Sequence, residues 1–430
     1  MKVMITGSGG REHALAWRVA RSEGVEKVYV LPGNAGTARD VGIENIAIDV
    51  MNFDAQIQFA LDHAVDLTII GPEAPLVAGV VDRFQAAGLK VLGPDSHSAQ
   101  LEGSKKFTKD FLKRHGIPTA AYESFTDSEA AKSFVGKTGV PIVIKADGLA
   151  AGKGVVIAYS LEEAESTIDQ MLSGNAFGEA GSRIVIEEFL EGEEASFIVI
   201  ADGVNVVPFA SSQDHKAIHD GDKGSNTGGM GAYSPAPVVT PEMHQRIMDQ
   251  VILPTIKGMS DEGMPYTGFL YAGLMITNDG VPKVIEFNCR FGDPETQPVM
   301  FRLQSDLVAL CQAALEGRLA GYSITFDPRP AVTVVMAAGG YPEQYRKGDA
   351  ISGLEGLDTE TGKVFHAGTD LRDGSVITNG GRVLGVTSLG DSVKDAQSRA
   401  YEMVKSISWQ DAYYRTDIGY RAIDRESAQG

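Results

Sequence analysis

The strongest chemical pattern in the sequence places Glu286, Asn288 and Arg290 at every second position of an otherwise apolar stretch. Alternate residues of a strand point to one face, so these side chains would line one surface while Ile285 and Phe287 face a core. Carboxylate and amide oxygens suit Mg²⁺, and a guanidinium can hold a phosphate. The pattern therefore predicts a metal and phosphate surface, with an ordinary polar strand face as the alternative.

A second pattern, Gly-Ser-Gly-Gly at 7–10, joins the first predicted strand to a helix. Backbone amides at a helix N-terminus form a natural anion site. A dinucleotide-binding motif would need glycine at position 12, which is Glu12. It would also need an acidic residue at the end of the second strand, where the sequence has Leu31 followed by Pro and Gly. The loop therefore favours phosphate or another small anion over a dinucleotide; a tight turn for helix packing is the alternative.

The glycine-rich stretch 145–154 lies between two apolar runs. No Ser or Thr follows Lys153, and a strand follows instead of a helix, so it is not a Walker A loop. Such a loop can fold over a triphosphate, with the charge of Lys145 on the phosphates. The alternative is a mobile hairpin in which Lys153 is simply solvated.

Two further segments are polar and less specific. The strand 183–188 runs into an acidic turn, where Glu187 could accept from an exocyclic amine and Glu194 from ribose hydroxyls. The second segment contains Gln-Asp-His-Lys at 213–216, in a long polar loop of the kind that is often functional. His215 and His219 could be bases or ordinary hydrogen-bonded residues. No third residue completes a nucleophilic triad or a histidine metal site.

Periodicity predicts the elements that position these residues. In the first hundred residues, strands at 2–6, 27–31, 66–70 and 90–92 alternate with helices at 11–22, 53–63 and 76–87. This alternation predicts a parallel sheet covered by helices on both faces, with ligands at the strand carboxyl ends. Farther on, we predict helices at 101–115, 161–172 and 241–257, and strands at 141–159 (around the glycine loop), 183–188, 195–201, 271–277 and 282–287. The tail is predicted to be a separate antiparallel domain with one helix at 392–407.

Composition limits the function classes. A chain of 430 residues suggests two to four domains. A net charge of −19 argues against broad binding of nucleic acid or an anionic membrane. No apolar run reaches membrane-spanning length, and the sequence starts directly with a strand. Two cysteines exclude a disulfide framework and a closed zinc site, so we expect a cytoplasmic protein.

Five motifs occur together and in order, and as a set they resemble the phosphoribosylamine–glycine ligase family of the ATP-grasp superfamily. They are Gly-Ser-Gly-Gly-Arg-Glu-His-Ala at 7–14, Gly-Pro-Glu at 71–73, Lys-Ala-Asp-Gly-Leu-Ala-Ala-Gly-Lys-Gly at 145–154, Gln-Asp-His-Lys at 213–216 and Arg-Phe-Gly-Asp-Pro-Glu at 290–295. The resemblance covers nearly the whole chain. It implies that ATP, glycine and 5-phosphoribosylamine react through a glycyl phosphate to give glycinamide ribonucleotide, ADP and phosphate. It also implies a Mg²⁺ or Mn²⁺ cofactor and a monomer without nucleic-acid or membrane partners.

The resemblance further implies a multidomain α/β architecture. Residues 1–102 would form an N-terminal parallel-sheet domain, and 103–121 with 191–325 an ATP-grasp core. Residues 122–190 would form a lid inserted into that core, and 326–430 a C-terminal β-rich domain.

Site residues follow from the same resemblance by position. The residues expected to bind ATP are Lys105, Lys145, Gly152, Gly154, Glu187, Glu188, Leu190 and Glu194. Those expected to bind the other substrates are Gly9, Gly10, Arg11, Glu73, Asp214, Gly292, Asp293, Pro294 and Glu295. Catalytic roles fall on Arg290, Asp293, Asp214 and Lys216, and the metal ligands are Glu286 and Asn288. A further acidic ligand of many relatives would fall near Leu274, so we expect only two protein ligands.

Three alternatives remain open from the sequence. Another ATP-grasp ligase, such as a carboxylase or a formate-dependent ligase, would not need glycine. A non-catalytic nucleotide sensor would need no Glu286–Asn288 pair and no second substrate pocket. An NAD-dependent dehydrogenase is disfavoured by Glu12 and Leu31.

Overall fold

The computed structural model describes residues 1–149, 154–173 and 182–429, which are organised around four main β-sheets. No helix within those ranges has both the length and the apolar character to cross a membrane.

The N-terminal sheet is parallel, as predicted, with the strand order β3-β2-β1-β4-β5. Its elements are β1 Lys2–Gly7, α1 Gly10–Val19, β2 Lys27–Pro32, β3 Ile43–Asn45, α2 Phe53–Asp62, β4 Leu67–Ile70, α3 Glu73–Val77, α4 Val80–Ala86, β5 Val91–Leu92 and α5 Gln100–Gly103. Strand β1 is buried along nearly its whole length, which is typical of a parallel strand covered on both faces. The carboxyl ends of β1 and β4 carry the Gly7–Gly10 and Gly71–Glu73 motifs.

The second sheet is antiparallel, with the order β6-β9-β7-β8, and two helices cover it. The elements of this part are α6 Lys105–Arg114, β6 Tyr122–Phe125, α7 Ser128–Thr138, β7 Ile142–Ala146, β8 Val155–Ala158, α8 Leu161–Leu172 and β9 Ile184–Glu188. The glycine-rich loop connects β7 to β8, so the predicted strand–loop–strand unit is confirmed.

The third sheet has the order β11-β10-β16-β17 and contains the long hairpin of β16 and β17. The elements of this part of the chain, which also includes strands of other sheets, are β10 Gly192–Asp202, β11 Val206–Pro208, β12 Gln213–Asp214, β13 Ala217–His219, β14 Lys223–Asn226, β15 Gly231–Ser234, α9 Pro241–Ile247, α10 Leu253–Asp261, β16 Thr267–Thr277, β17 Pro282–Asn288, α11 Thr296–Arg302 and α12 Leu307–Leu315. A π-helical turn, Met248–Ile252, joins α9 to α10.

The fourth sheet lies in the predicted C-terminal β-rich region, but two of its strands come from outside the tail. The elements of the tail are β18 Ala331–Ala337, β19 Gly362–His366, β20 Thr369–Arg372, β21 Ser375–Thr378, β22 Arg382–Leu389, α13 Val393–Ser406 and α14 Tyr420–Gln429, and β20 and β21 pair with each other in a small sheet of their own. The sheet order is β12-β15-β18-β22-β19, so two strands from residues 213–234 complete it. The tail is antiparallel as expected, but it shares its sheet with the polar loop region, and α14 was not predicted.

Three predicted helices are interrupted. The segment predicted as one helix at 76–87 forms two helices, α3 and α4, which are separated at Gly79 with a φ of +82°. The 101–115 prediction breaks at Ser104, whose extended backbone ends α5 and whose hydroxyl accepts from the amide of Phe107 at 3.1 Å to cap α6. The 241–257 prediction contains the π turn just before Pro254, which has no amide hydrogen for the regular ladder.

Strand β17 shows that the prediction of Ile285 and Phe287 as the core-facing residues was only half correct. Gly273 pairs with Glu286 while Leu274 pairs with Val284, so Ile285 is the extra residue of a β-bulge. As a result Val284 and Phe287 are buried in the core, whereas Ile285 is only half-buried. The bulge precedes Glu286, so Glu286 and Asn288 still share one face, as predicted.

Candidate active site

Glu286 and Asn288 form the centre of the site. Both are half-buried, and neither side chain makes a hydrogen bond or ion pair with another described residue. Burial alone would raise the pKa of Glu286, but Lys216, Lys145 and Lys105 lower it, so the carboxylate is ionised. Two unpartnered oxygen donors on one strand face suit Mg²⁺ or Mn²⁺ completed by phosphate and water oxygens.

The described residues contain no group of three or more His, Cys, Asp or Glu side chains arranged to hold a metal. The position where a further acidic ligand was considered holds Leu274, which is fully buried in the core. A metal here would therefore have two protein ligands.

A buried cluster of one carboxylate and two lysines lies beside this pair. Glu187 is 4% exposed, and its oxygens lie 2.8 Å from Nζ of Lys109 and 3.0 Å from Nζ of Lys145. Lys145 also donates to the carbonyl of Ile285 at 3.2 Å, which links the cluster to β17. Because both Glu187 oxygens face lysines, an adenine amine would have to share them. Sequence reasoning missed Lys109, although it lies one helical turn after Lys105.

Burial lowers the pKa of Lys109 to about 8, even though Glu187 opposes that shift. Burial also lowers the pKa of Lys105, whose Nζ donates to the carbonyl of Gly148 at 2.8 Å. Lys105 thus reaches the start of the glycine-rich loop. Gly154 is buried and its carbonyl accepts from the amide of Ala146 at 2.8 Å, whereas Gly152 lies outside the described residues.

The remaining residues predicted to bind ATP follow β9. The amide of Glu188 donates to the carbonyl of Ala121 at 2.8 Å, so it is not free for a base. The exposed Glu188 side chain accepts from the Ala121 amide, and Leu190 is half-buried. Glu194 forms an ion pair with Lys216 at 2.9 Å.

Asp214 and Lys216 lie opposite these residues. Burial raises the pKa of Asp214 to about 8; Lys216 opposes the shift, and the carboxylates of Glu295 and Glu194 add to it. Burial alone would lower the pKa of Lys216, but Glu194 and Asp214 raise it well above its usual value. A carboxyl that titrates near neutrality beside a firmly charged lysine can exchange a proton with a ligand.

Glu295 accepts hydrogen bonds from two hydroxyls of the third sheet. Ser196 donates to its Oε1 at 3.2 Å and Tyr271 at 3.0 Å, and all three residues are buried. Tyr271 was not predicted. Glu295 in turn lies close to Gly292, where a Cβ would meet its carboxylate, so this turn is closely packed.

Arg290 lies between two acidic residues from the N-terminal region. Its Nε is 3.2 Å from Glu73, and its Nη2 is 2.9 Å from Glu102. Glu102 was not predicted; it also accepts from the amide of Cys289 at 2.7 Å. Burial raises the pKa of Glu102 to about 7, with Arg290 opposing the shift. Arg290 is therefore fixed in direction before any substrate arrives.

The turn 292–295 brings the N-terminal loop and the C-terminal sheet together. Asp293 accepts from Nε2 of Gln297 at 2.8 Å and lies 3.4 Å from Arg382, which was not predicted as a site residue. Arg382 also donates to the carbonyl of Gly228, and a Cβ at Gly229 would lie 2.5 Å from Cδ of Pro294. This turn is packed on every side.

The Gly9–Gly10 loop is close to that turn, with a consequence for its predicted role. The amide of Gly9 already donates to Glu12 at 2.7 Å, which leaves the amides of Gly10 and Arg11 for an anion. A Cβ at Gly10 would collide with Nε2 of Gln297, so a side chain there would disturb the Gln297–Asp293 pair as well as any bound phosphate. Arg11 donates to the carbonyl of Phe291 at 3.1 Å.

Contacts link many of the predicted site residues that the structure describes, whereas the two candidate bases have other partners. His215 is 4% exposed, accepts from the amide of Gly419 at 2.9 Å, and has its pKa lowered by burial. His219 is exposed and contacts the hydroxyl of Tyr413. Both are ordinary hydrogen-bonded residues.

Comparison with known proteins gives one consistent result. Family models of phosphoribosylglycinamide synthetase match residues 1–102 (N domain), 103–296 (ATP-grasp A domain) and 331–421 (C domain). The chain is 63% identical over 426 residues to phosphoribosylamine–glycine ligase of Vibrio parahaemolyticus, covering 99% of each protein.

Solved structures agree with that result. The crystal structure of phosphoribosylamine–glycine ligase from Thermotoga maritima matches 97% of this chain and all of that chain, with a TM-score of 0.84 at 35% identity. The biotin carboxylase domain of a Hydrogenobacter thermophilus 2-oxoglutarate carboxylase matches with a TM-score of 0.74 over 96% of this chain and 91% of that one. Its 18% identity shows a shared fold alone.

Proposed function

This chain belongs to the phosphoribosylglycinamide synthetase family and has phosphoribosylamine–glycine ligase activity in purine biosynthesis, and we propose here which residues carry each part of that reaction. The observation that supports the assignment most directly is the unpartnered Glu286–Asn288 pair within the field of three lysines, Lys105, Lys145 and Lys216. Such a surface holds a polyphosphate and its metal against mutual repulsion.

Glycine must be activated because a carboxylate is a poor electrophile at neutral pH. We propose that its carboxylate attacks the γ-phosphorus of ATP, which gives glycyl phosphate and ADP. The amine of 5-phosphoribosylamine then attacks the acyl carbon and phosphate leaves, which forms the amide. No covalent protein nucleophile is needed, in agreement with the lack of a triad in the sequence.

ATP is assigned to the surface between the β6–β9 sheet and β17. Lys145 and Lys105 hold phosphates, with Lys105 next to Gly148, and Glu187 fixes Lys145 and Lys109. Glu194 lies where it can accept from ribose hydroxyls. Glu286 and Asn288 would hold Mg²⁺ or Mn²⁺, which when bound would neutralise phosphate charge.

Proton transfer is assigned to Asp214. Attack by the amine releases a proton, and the carboxylate form of Asp214, whose pKa is raised by burial to about 8, can accept it. Lys216 and Arg290 stabilise the negative charge of the phosphorylated intermediate. Glu295, held by Ser196 and Tyr271, is placed to bind the ammonium group of glycine.

The phosphoribosyl group is assigned to the junction of the N-terminal loop and the 292–295 turn. The free amides of Gly10 and Arg11 lie at the N-terminus of α1, where they can bind phosphate. The nearby Asp293, held by Gln297 and Arg382, is suited to accept from ribose hydroxyls. Glu73 limits this pocket from the β4 side.

We further propose the division into residues 1–102, 103–121 with 191–325, 122–190, and 326–430. Each part supplies most strands of one of the four main sheets, and β12 and β15 join the fourth sheet from the 191–325 part. The enzyme is proposed to act as a cytoplasmic monomer. Sedimentation at working concentrations should give a mass near 45.7 kDa.

The test is ADP release measured with each substrate singly and together. We expect release at full rate only when ATP, glycine and phosphoribosylamine are all present, and no stimulation by bicarbonate or formate. Release stimulated by bicarbonate in place of glycine would indicate a carboxylase and overturn the proposal. ATP binding without any turnover would indicate a sensor.

A further inference from the structure

The segment that carries Asp214 and Lys216 pairs with β15 and is also contacted by the C-terminal end of the chain. Exposure alternates along it: Gln213 and His215 are buried, whereas Asp214 and Lys216 are half-buried and open to the cleft. Because alternate residues of an extended chain point to opposite faces, whatever fixes Gln213 and His215 also fixes Asp214 and Lys216. Residues 413–425, called here the C-terminal strap, contact His215 directly and reach Gln213 through Glu193.

The first fixing is at His215. The strap amide of Gly419 donates to its Nε2 at 2.9 Å, and its Nδ1 lies 3.5 Å from Asp222 in the hairpin that follows. The main chain of His215 is bonded to Gly231 and Met230. The ring therefore has a defined position on the face away from the cleft.

The second fixing is at Gln213. Its Nε2 donates to Oε1 of Glu193 at 2.7 Å and to the carbonyl of Glu194 at 2.9 Å. The other carboxylate oxygen of Glu193 is bound by Arg425 of α14. A chain of contacts thus runs from the strap through Glu193 to the residue just before Asp214.

The hairpin of β13 and β14 is held to the strap by a buried arginine. Arg415 is fully buried and donates to Asp417 at 2.8 Å, to Asp222 at 2.9 Å and to the carbonyl of Ala217 at 3.1 Å. Tyr420 donates to the same Asp222 at 2.7 Å. A buried guanidinium persists only with such complete pairing, so this contact joins the two segments as one unit.

We propose that the C-terminal strap is a positioning device for the reaction and that Arg425 and His215 are positioning residues for Lys216 and Asp214. This proposal rests on the roles proposed above for Asp214 and Lys216. Arg425 is the most informative residue to change, because it touches none of the predicted site residues and acts through Glu193 and Gln213.

The test compares Arg425→Gln with Arg399→Gln. The two arginines are a matched pair: their side chains are 38% and 41% exposed, and each forms an ion pair with one carboxylate, Arg399 with Asp395 on its own helix. Removing a half-exposed ion pair changes stability little. Both variants should therefore unfold at nearly the wild-type temperature.

We expect Arg425→Gln to lower kcat by about three- to tenfold, because Asp214 and Lys216 lose the alignment that one ion pair provides. Amides of residues 213–226 should exchange faster than in the wild type. Arg425→Lys, which can still pair with Glu193, should restore kcat. Arg399→Gln should leave both kcat and exchange unchanged.

Two outcomes would overturn the proposal, and they separate it from the assignment of the site. If Asp214→Asn is inactive but Arg425→Gln matches Arg399→Gln in kcat and exchange, the strap has no positioning role. If Asp214→Asn keeps wild-type activity, the role of Asp214 fails first and the strap has nothing to position.

Discussion

Two carboxylates of the candidate site, the buried Glu187 and the half-buried Glu286, differ in whether they are paired. Glu187 lies between Lys109 and Lys145, with both ion-pair distances at or below 3.0 Å. Glu286 has no such partner among the described residues, although Lys145, Lys105 and Lys216 all lower its pKa from a distance. Glu187 is an internal counter-ion, and Glu286 is left open for an external cation.

The difference indicates how the site handles a highly charged substrate. Without ATP, the lysines need a permanent counter-ion to remain charged in a buried position, and Glu187 supplies it. Lys145, which pairs with Glu187, acts together with Lys105 and Lys216 to keep Glu286 ionised, and none of the three forms an ion pair with it. Changes at the two glutamates should therefore affect different properties.

The largest effect is expected for Glu286→Ala. Losing the anionic ligand of the metal site should lower kcat by about a thousandfold or more, because phosphoryl transfer then lacks its main charge compensation. Folding should survive, since the side chain contributes little to the core. Steady-state ADP release in saturating Mg²⁺, with circular dichroism as the control, measures this. Activity like the wild type would show that the metal assignment is wrong.

Glu187→Gln should mainly affect stability. It leaves two buried lysines without an anionic partner, which should reduce the free energy of unfolding by about 3 kcal/mol. Urea denaturation at pH 7 measures the change. Glu123→Gln is the control, because Glu123 lies on the neighbouring strand β6 but is exposed and should change stability by less than about 0.5 kcal/mol. Equal stability of the two variants would mean that the lysines do not depend on Glu187.

The contrast between Glu187 and Glu286 was only partly accessible from the sequence. Period-2 alternation correctly placed Glu286 and Asn288 on one face, and the parallel N-terminal sheet followed from its strand–helix spacing. The bulge at Ile285 was not predictable, since it depends on pairing with β16, and it exchanged Ile285 for Val284 in the core.

The partners of the site residues were missed for a related reason. Glu102 meets Arg290 and Cys289 across almost 190 residues, and Arg382 meets Asp293 across 89. Neither belongs to a local motif, so nothing in its neighbourhood marks it. Lys109 could have been found, because it lies on the same helix face as Lys105. The shared C-terminal sheet needed strands as short as two residues, which carry no periodic signal.

At the N-terminal loop, the lack of room for a side chain at Gly10 matters more than charge pairing. Gly10→Ala should raise the KM for phosphoribosylamine by about tenfold to a hundredfold, and that for ATP much less, because the loop lies in a different part of the cleft from the lysines. The added methyl group meets Gln297, so Gly10→Ala combined with Gln297→Ala should recover part of the loss if crowding of Gln297 is the cause. A rise confined to the KM for ATP would assign the loop to the nucleotide.

The smallest effect is expected at Glu102, a third carboxylate of the site. Its pairing is intermediate between that of Glu187, which has two lysine partners, and that of Glu286, which has none, because Glu102 shares Arg290 with Glu73. Its pKa is raised by burial from 4.5 to about 7, so between these values the folded protein holds a proton that the unfolded chain has lost. Stability of the wild type therefore falls as pH rises through this window, and the loss is complete above pH 7. Glu102→Gln cannot titrate and should escape that loss. Its stability relative to the wild type should rise by about 2 kcal/mol from pH 5 to pH 8, measured by urea denaturation. A difference that stays constant over this range would mean that Arg290 holds Glu102 ionised throughout, as fully as the two lysines hold Glu187.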